Sequence, residues 1–169
     1  FMSRDALGRE AEVATIQLDM NMPERFDLTC VNEEGAHERI VMIHAAIMGS
    51  IERFLSILIE HTAGHFPLWL APEQIRILPI GERHQEYAAA VARDLTQAGL
   101  RVSVDASSES LGKRIRNAKV GKLPYLVVVG DKEMEEGILS VESRTQGQIG
   151  ALTSASFVDT LLQEISEKR

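Results

Sequence analysis

Two stretches of the chain carry side chains able to do chemistry. The first is Met42-Ile43-His44-Ala45-Ala46-Ile47-Met48-Gly49-Ser50-Ile51-Glu52-Arg53-Phe54. It holds an imidazole that can ligate a metal, a hydroxyl, and an always-charged guanidinium of the kind that grips phosphate. Alone, Glu52-Arg53 reads as an ordinary exposed pair, and a lone His44 reads as a histidine with no metal role. The second stretch, Ser110 to Gly130, contains no acid yet carries Lys113, Arg114, Arg116, Lys119 and Lys122. Such a block is either a solvated helix face or a surface for an anion or an RNA backbone.

The elements that must position these residues follow from periodicity. Val13–Met20 alternates as a strand, with Ala14, Ile16, Leu18 and Met20 on one side and Thr15, Gln17 and Asp19 on the other. The polar side faces either solvent or a ligand. Ile40–Ile43 reads as a second strand, and Ile47–His61 as a helix with Ile47, Ile51, Phe54 and Leu58 as its stripe. Two strands and a helix cannot enclose a core, so residues 1–72 need more chain to complete them.

Prolines 67 and 72 mark a boundary, and the pattern becomes regular after it. Ile75–Ile80, Arg101–Asp105, Leu126–Val129 and Ile138–Ser143 read as strands. His84–Ala98, Ser110–Ala118 and a final helix starting at Ser156, with Asp159 as its capping partner, read as helices. This order predicts a complete α/β unit at residues 73–169, built on a mostly parallel mixed sheet.

Composition narrows the class. With 169 residues and 44% hydrophobic content, the chain can bury a core, which excludes disorder. No apolar run approaches the ~20 residues of a membrane span. The single cysteine, Cys30, excludes a disulfide framework, and the opening residues resemble neither a secretion signal nor a transit peptide. These features predict an acidic protein of the cytoplasm. The net charge of −7 argues against simple nucleic-acid coating. It is unevenly placed: residues 1–72 hold 5 Lys/Arg against 11 Asp/Glu, and residues 73–169 hold 13 against 14.

The strand-to-helix stretch ending in Gly49-Ser50-Ile51-Glu52-Arg53-Phe54 resembles motif 3 of class II aminoacyl-tRNA synthetases, and most closely that of the threonyl enzymes. Asp5-Ala6-Leu7-Gly8-Arg9, Ala14-Thr15-Ile16-Gln17-Leu18-Asp19, Pro23-Glu24-Arg25-Phe26 and Phe66-Pro67-Leu68-Trp69-Leu70-Ala71-Pro72 resemble the end of their catalytic domain. Residues 73–169 resemble their anticodon-binding domain, most recognisably at Pro124-Tyr125-Leu126-Val127-Val128-Val129-Gly130-Asp131-Lys132-Glu133.

The resemblance implies a partial antiparallel-sheet catalytic segment at 1–72 and an anticodon-binding domain at 73–169. It also implies ATP-dependent attachment of threonine to its tRNA. In that setting Arg53 grips the phosphates of magnesium-bound ATP, and Gln17 and Ser50 line the threonine and adenylate pocket. His44 matches one of three zinc ligands, but the other two have no counterpart here, and Cys30 does not match either of them. Ser108, Lys113, Arg116, Lys119 and Glu133 fall on the tRNA-binding surface; Arg116 and Glu133 match positions that read anticodon bases, and Lys113, Arg114, Lys119 and Lys122 are expected to supply phosphate affinity. The parent enzyme is expected to be a homodimer through segments outside this chain, and no membrane partner is expected.

Four positions depart from the family pattern. Glu12 stands for a pocket glutamine, Ala45 for an arginine, Ser108 for an asparagine and Glu142 for an arginine. A carboxylate at 142 should weaken RNA binding. Without motifs 1 and 2, the chain alone is expected not to aminoacylate. The alternatives are a non-catalytic tRNA-binding module or synthetase paralogue, and a protein-interaction domain reusing the scaffold.

Overall fold

A computed structural model describes residues 1–5 and 7–169. Ala6, within the Asp5–Arg9 stretch, lies outside the described residues. The chain forms two compact units, Phe1–Ala63 and Gly64–Arg169.

Among its described residues, the first unit consists of three antiparallel pairs and two helices. Strands β1 (Met2–Arg4) and β2 (Glu10–Glu12) pair first; β3 (Ala14–Asp19) follows, then the short helix α1 (Asn21–Arg25). A hairpin of β4 (Thr29–Val31) and β5 (His37–Arg39) leads to β6 (Met42–Ile47) and helix α2 (Ile51–Thr62). The β3–β6 ladder sets Thr15, Gln17 and Asp19 opposite Ala46, His44 and Met42. Its other face carries Ile16, Leu18, Ile43 and Ile47, all exposed within the described residues. The predicted alternation of β3 is therefore correct. The second strand runs later than the sequence pattern placed it, and α2 correspondingly begins at Ile51.

In the second unit a five-stranded mixed sheet has the order β11-β10-β9-β7-β8. Its elements are β7 (Ile75–Pro79), α3 (Gln85–Gln97), β8 (Val102–Val104), α4 (Leu111–Val120), β9 (Tyr125–Val129), α5 (Asp131–Glu136), β10 (Leu139–Ser143), β11 (Gly147–Leu152) and α6 (Ser154–Ser166). β7 is parallel to both β8 and β9, whereas β10 is antiparallel to β9 and to β11. The parallel half comes from the crossovers through α3 and α4, and the antiparallel half from the short α5 connection between β9 and β10 and the tight β10–β11 hairpin.

Strand alternation divides the core. Ile75, Ile77, Tyr125, Val127, Val129, Leu139 and Val141 pack with Ala88, Val91 and Leu95 of α3 and with Phe157 and Leu161 of α6. Leu126, on the opposite face, packs with Leu123 and with Ile115 and Ala118 of α4. Buried apolar side chains of this kind each contribute ~1.5–3 kcal/mol.

The sequence boundary at Pro72 falls inside this second unit. Leu68 is 1% exposed in the main core, and its N–H donates to the carbonyl of Arg169 at 3.0 Å. Arg101 donates to the carbonyls of Ala71 and Trp69, and the amide of Gln74 donates to that of Leu68. The final helix also starts earlier than Ser156–Asp159 suggested: Thr153 is its N-cap, and Thr153 Oγ1 accepts the N–H of Ser156 at 3.2 Å.

Candidate nucleic-acid interface

On the first unit, β6 turns into α2 through two consecutive residues in left-handed conformation, Met48 (φ 70°) and Gly49 (φ 59°). A side chain at Gly49 would be strained by that φ and would meet the Glu12 carbonyl at 3.1 Å. Ser50 takes the extended N-cap conformation, but its hydroxyl donates to Glu52 Oε2 at 2.7 Å and its oxygen accepts no N–H of the helix start. That bond holds the Glu52 carboxyl below its usual range. Arg53 is exposed on α2 and makes no ion pair among the described residues, so its guanidinium is available to an anion.

Gln17 and His44 are register partners on the polar face of the β3–β6 ladder, and Asp19 joins them. His44 Nε2 lies 3.4 Å from Asp19 Oδ2 and 2.8 Å from Met42 Sδ. Asp19 also accepts the N–H groups of Asn21 and Met22. The Met22 bond is the main reason its carboxyl is held low, and His44 adds to the effect. Asp19 is a site neighbour that the sequence pattern marks only as part of a polar face.

This donor set does not fit zinc. Structural and catalytic zinc sites need three or four nitrogen, sulfur or oxygen ligands. Among the described residues no group of three His, Cys, Asp or Glu can hold a metal. Cys30 is exposed on the β4–β5 hairpin.

The second unit holds the cationic block, and the structure redistributes its charges. Arg114 is only 5% exposed: one terminal nitrogen donates to the Asp105 carbonyl and the other to that of Pro79, both at 2.9 Å. Its Nε has no partner among the described residues. The expected phosphate contact by Arg114 is thus corrected. This guanidinium serves the ends of β7 and β8, where carbonyls leave the sheet unpaired.

Lys113 pairs with Glu109 Oε1 at 2.6 Å, and Lys119 with Glu142 Oε1 at 2.6 Å. Glu109 also accepts from the Asn117 side chain at 3.0 Å. Lys122 lies 3.0 Å from His65 Nε2, whose protonation is disfavoured by burial and by the charge of Lys122. Arg116 is exposed and has no ion-pair partner among the described residues.

Glu133 spends one carboxylate oxygen on the Gly130 N–H, at 2.9 Å, which caps α5. Ser108 lies in the loop between β8 and α4, on a cavity of about 320 Å³ shared with Gly81, Gln85 and Arg114. Lys119 and Glu142 border a second cavity, of about 230 Å³, with Leu123 and Leu126 in its walls. Among the described residues no helix is long and apolar enough to cross a membrane.

Comparison with known proteins matches these two units to two families. Residues 74–164 match the anticodon binding domain family, and residues 1–62 match the tRNA synthetase class II core domain (G, H, P, S and T). A threonine–tRNA ligase of Syntrophomonas wolfei is 52% identical over 99% of this chain. One from Thermus thermophilus is 49% identical over 100%. The chain spans 26% of the length of each of these relatives. The crystal structure of the RNA binding domain of threonyl-tRNA synthetase from Cryptosporidium parvum matches with a TM-score of 0.85 and 36% identity, over 96% of this chain and 42% of that one. The chain belongs to the anticodon-binding domain family, and over its whole length it is similar to threonine–tRNA ligases.

Proposed function

We propose that this chain is part of a threonine–tRNA ligase, in which the second unit binds the anticodon stem-loop of the tRNA and the first belongs to the catalytic core. The observation that carries this reading is identity of about half of all positions across the whole chain to ligases of that specificity. The parent reaction condenses threonine with magnesium-bound ATP to an adenylate and pyrophosphate. It then passes the threonyl group to the terminal ribose of the tRNA.

In that setting Arg53 holds ATP phosphate oxygens, for which an obligately charged, multi-donor guanidinium is suited. Gln17 and Ser50 hydrogen-bond threonine or its adenylate. His44 by itself cannot hold zinc, so no step is assigned to a metal on this chain. On the second unit, Arg116 supplies phosphate or base contacts, and Ser108 and Glu133 lie where bases would be read. Lys113 and Lys119 contribute once their carboxylate partners yield.

The test is direct binding of the full chain to an anticodon stem-loop of threonine tRNA and to the same loop with a scrambled anticodon. Tighter binding of the first, weakened by Arg116→Ala, is expected. Equal affinity for both, or no binding at low salt, would overturn the anticodon reading. Threonine-dependent pyrophosphate exchange by the chain alone is expected to be at background, because motifs 1 and 2 are not in this sequence.

A further inference from the structure

The acid-free block is not charged in the way its composition suggests. Lys113, Arg116 and Lys119 follow one another at three-residue intervals along one side of α4. The outer two are neutralised by carboxylates from outside the block, Glu109 ahead of the helix and Glu142 on β10. Glu142 reaches α4 because strand alternation sends Leu139 and Val141 to the α3–α6 side and Glu142 to the α4 side. There it is the register partner of Leu126.

We infer that Glu109 and Glu142 are built-in counter-ions that an RNA backbone must displace from Lys113 and Lys119, and that they hold the affinity of this face for RNA down irrespective of sequence. This rests on the anticodon reading and deepens it.

The two carboxylates differ in how readily they yield. Glu109 sits in the loop ahead of α4, where no strand pairing fixes its backbone, although the Asn117 side chain also donates to its carboxylate. Glu142 is 21% exposed at its side chain and lies on a strand paired on both edges, so it stays beside any phosphate that takes Lys119. Displacing it therefore leaves a like-charge contact behind, and Glu142 is the stronger of the two restraints. Phosphate attraction is sequence-independent and supplies nearly all of indiscriminate binding. A surface on which two of three helix cations are already paired therefore resists RNA that offers only a backbone, whereas RNA that also makes base contacts has a further source of affinity.

The experiment compares the full chain with its Glu109→Gln, Glu142→Gln and Asp159→Asn variants. Asp159 is an exposed acid on α6, which packs on the other face of the sheet, so its variant controls for net charge alone. Binding to the cognate and scrambled stem-loops is followed across a salt series. Glu142→Gln should tighten both loops by a similar factor, about 3- to 10-fold, and steepen the slope of log affinity against log salt by ~0.7, one phosphate contact's worth on single strands. Glu109→Gln should do the same to a smaller degree, and Asp159→Asn should do neither.

If wild type binds and Glu142→Gln matches it in affinity and slope, the counter-ion role is wrong while the anticodon reading stands. An equal gain from Asp159→Asn would overturn the counter-ion role in the same way. If none of the four proteins binds RNA, both fail together.

Discussion

Nε2 of His84 lies 2.9 Å from Oδ1 of Asp131, tying the turn after β7 to the first residue of α5. Nδ1 accepts the Gly81 N–H at 3.0 Å, so the ring proton sits on Nε2 and is donated to the carboxylate. His84 is 3% exposed, and Arg83 pairs with the same Asp131. The hydrogen bond from His84, helped by the charge of Arg83, holds the Asp131 carboxyl below its ordinary value of 3.8. A depressed carboxylate contributes stability above its unfolded pKa and loses it as pH falls through the folded one. Asp131→Asn should therefore lower the urea midpoint at neutral pH, with the gap to wild type shrinking below pH 3.8. A gap of constant size across that range would show that the charge is not what matters.

Arg114→Met tests the corrected assignment of that residue. Methionine fills much of the same space but leaves the Asp105 and Pro79 carbonyls without their donor. A loss of about 1–3 kcal/mol of unfolding free energy is expected, the cost of buried unsatisfied acceptors. The salt slope of RNA binding should not change, because the guanidinium does not reach solvent. A shallower slope with unchanged stability would return Arg114 to the phosphate surface.

Fragments 64–169 and 73–169 should differ in stability. The shorter one loses Leu68 from the core, worth about 1.5–3 kcal/mol of burial. It also strips Arg101, Gln74 and Arg144 of carbonyl partners at Ala71, Leu68 and Phe66. Chemical denaturation of both fragments measures this, and coincident curves would contradict it.

Both tyrosines resist ionisation. Burial is the main cause for each, and Tyr125 also donates to Glu164 Oε2 at 2.6 Å, so its deprotonation would set two anions together. A raised folded pKa contributes stability that is complete below the unfolded value of 10.0 and is lost as pH rises through the folded one. Tyrosinate absorbance from Tyr125 should thus appear together with alkaline loss of helical circular dichroism. In Tyr125→Phe the fall of stability above pH 10.0 should be blunted. Tyrosinate formation well before unfolding would refute this.

Arg116→Ala should flatten the salt dependence of stem-loop binding by ~0.7, the share of one phosphate. Lys122→Ala, whose ammonium already faces His65, should change it less. The reverse ranking would place the RNA path at the turn after α4 and not along the helix.

The parts of the fold that were legible in the sequence are those whose periodicity had a single reading. β3 alternates cleanly, β9 is an unbroken apolar run, and α3 and α6 carry three-to-four spacing. β11 was missed because Gly147 and Gly150 interrupt its alternation, and most of it lies on an exposed edge. α5 was missed because Asp-Lys-Glu-Met-Glu-Glu offers no stripe; its only signals are the Gly130–Glu133 cap and the left-handed Gly137 that ends it. The hairpins β1–β2 and β4–β5 are three residues a strand and almost wholly exposed, so nothing in their polarity distinguishes them from loops.

The site divides in the same way. Gln17 beside His44 follows from strand pairing, which period-two patterns foretell. The burial of Arg114 and the reach of Glu142 to Lys119 depend on which strand faces α4, and local spacing carries no trace of that.

The Leu68–Arg169 hydrogen bond has an architectural consequence. The first stretch of the second unit, around Leu68, and the end of α6 thus lie side by side. Such a module can be spliced into a surface turn of an unrelated host without prying that turn apart. It can also be circularly permuted by joining Arg169 to Gly64 through a few flexible residues and opening new ends at an exposed turn such as that between α5 and β10.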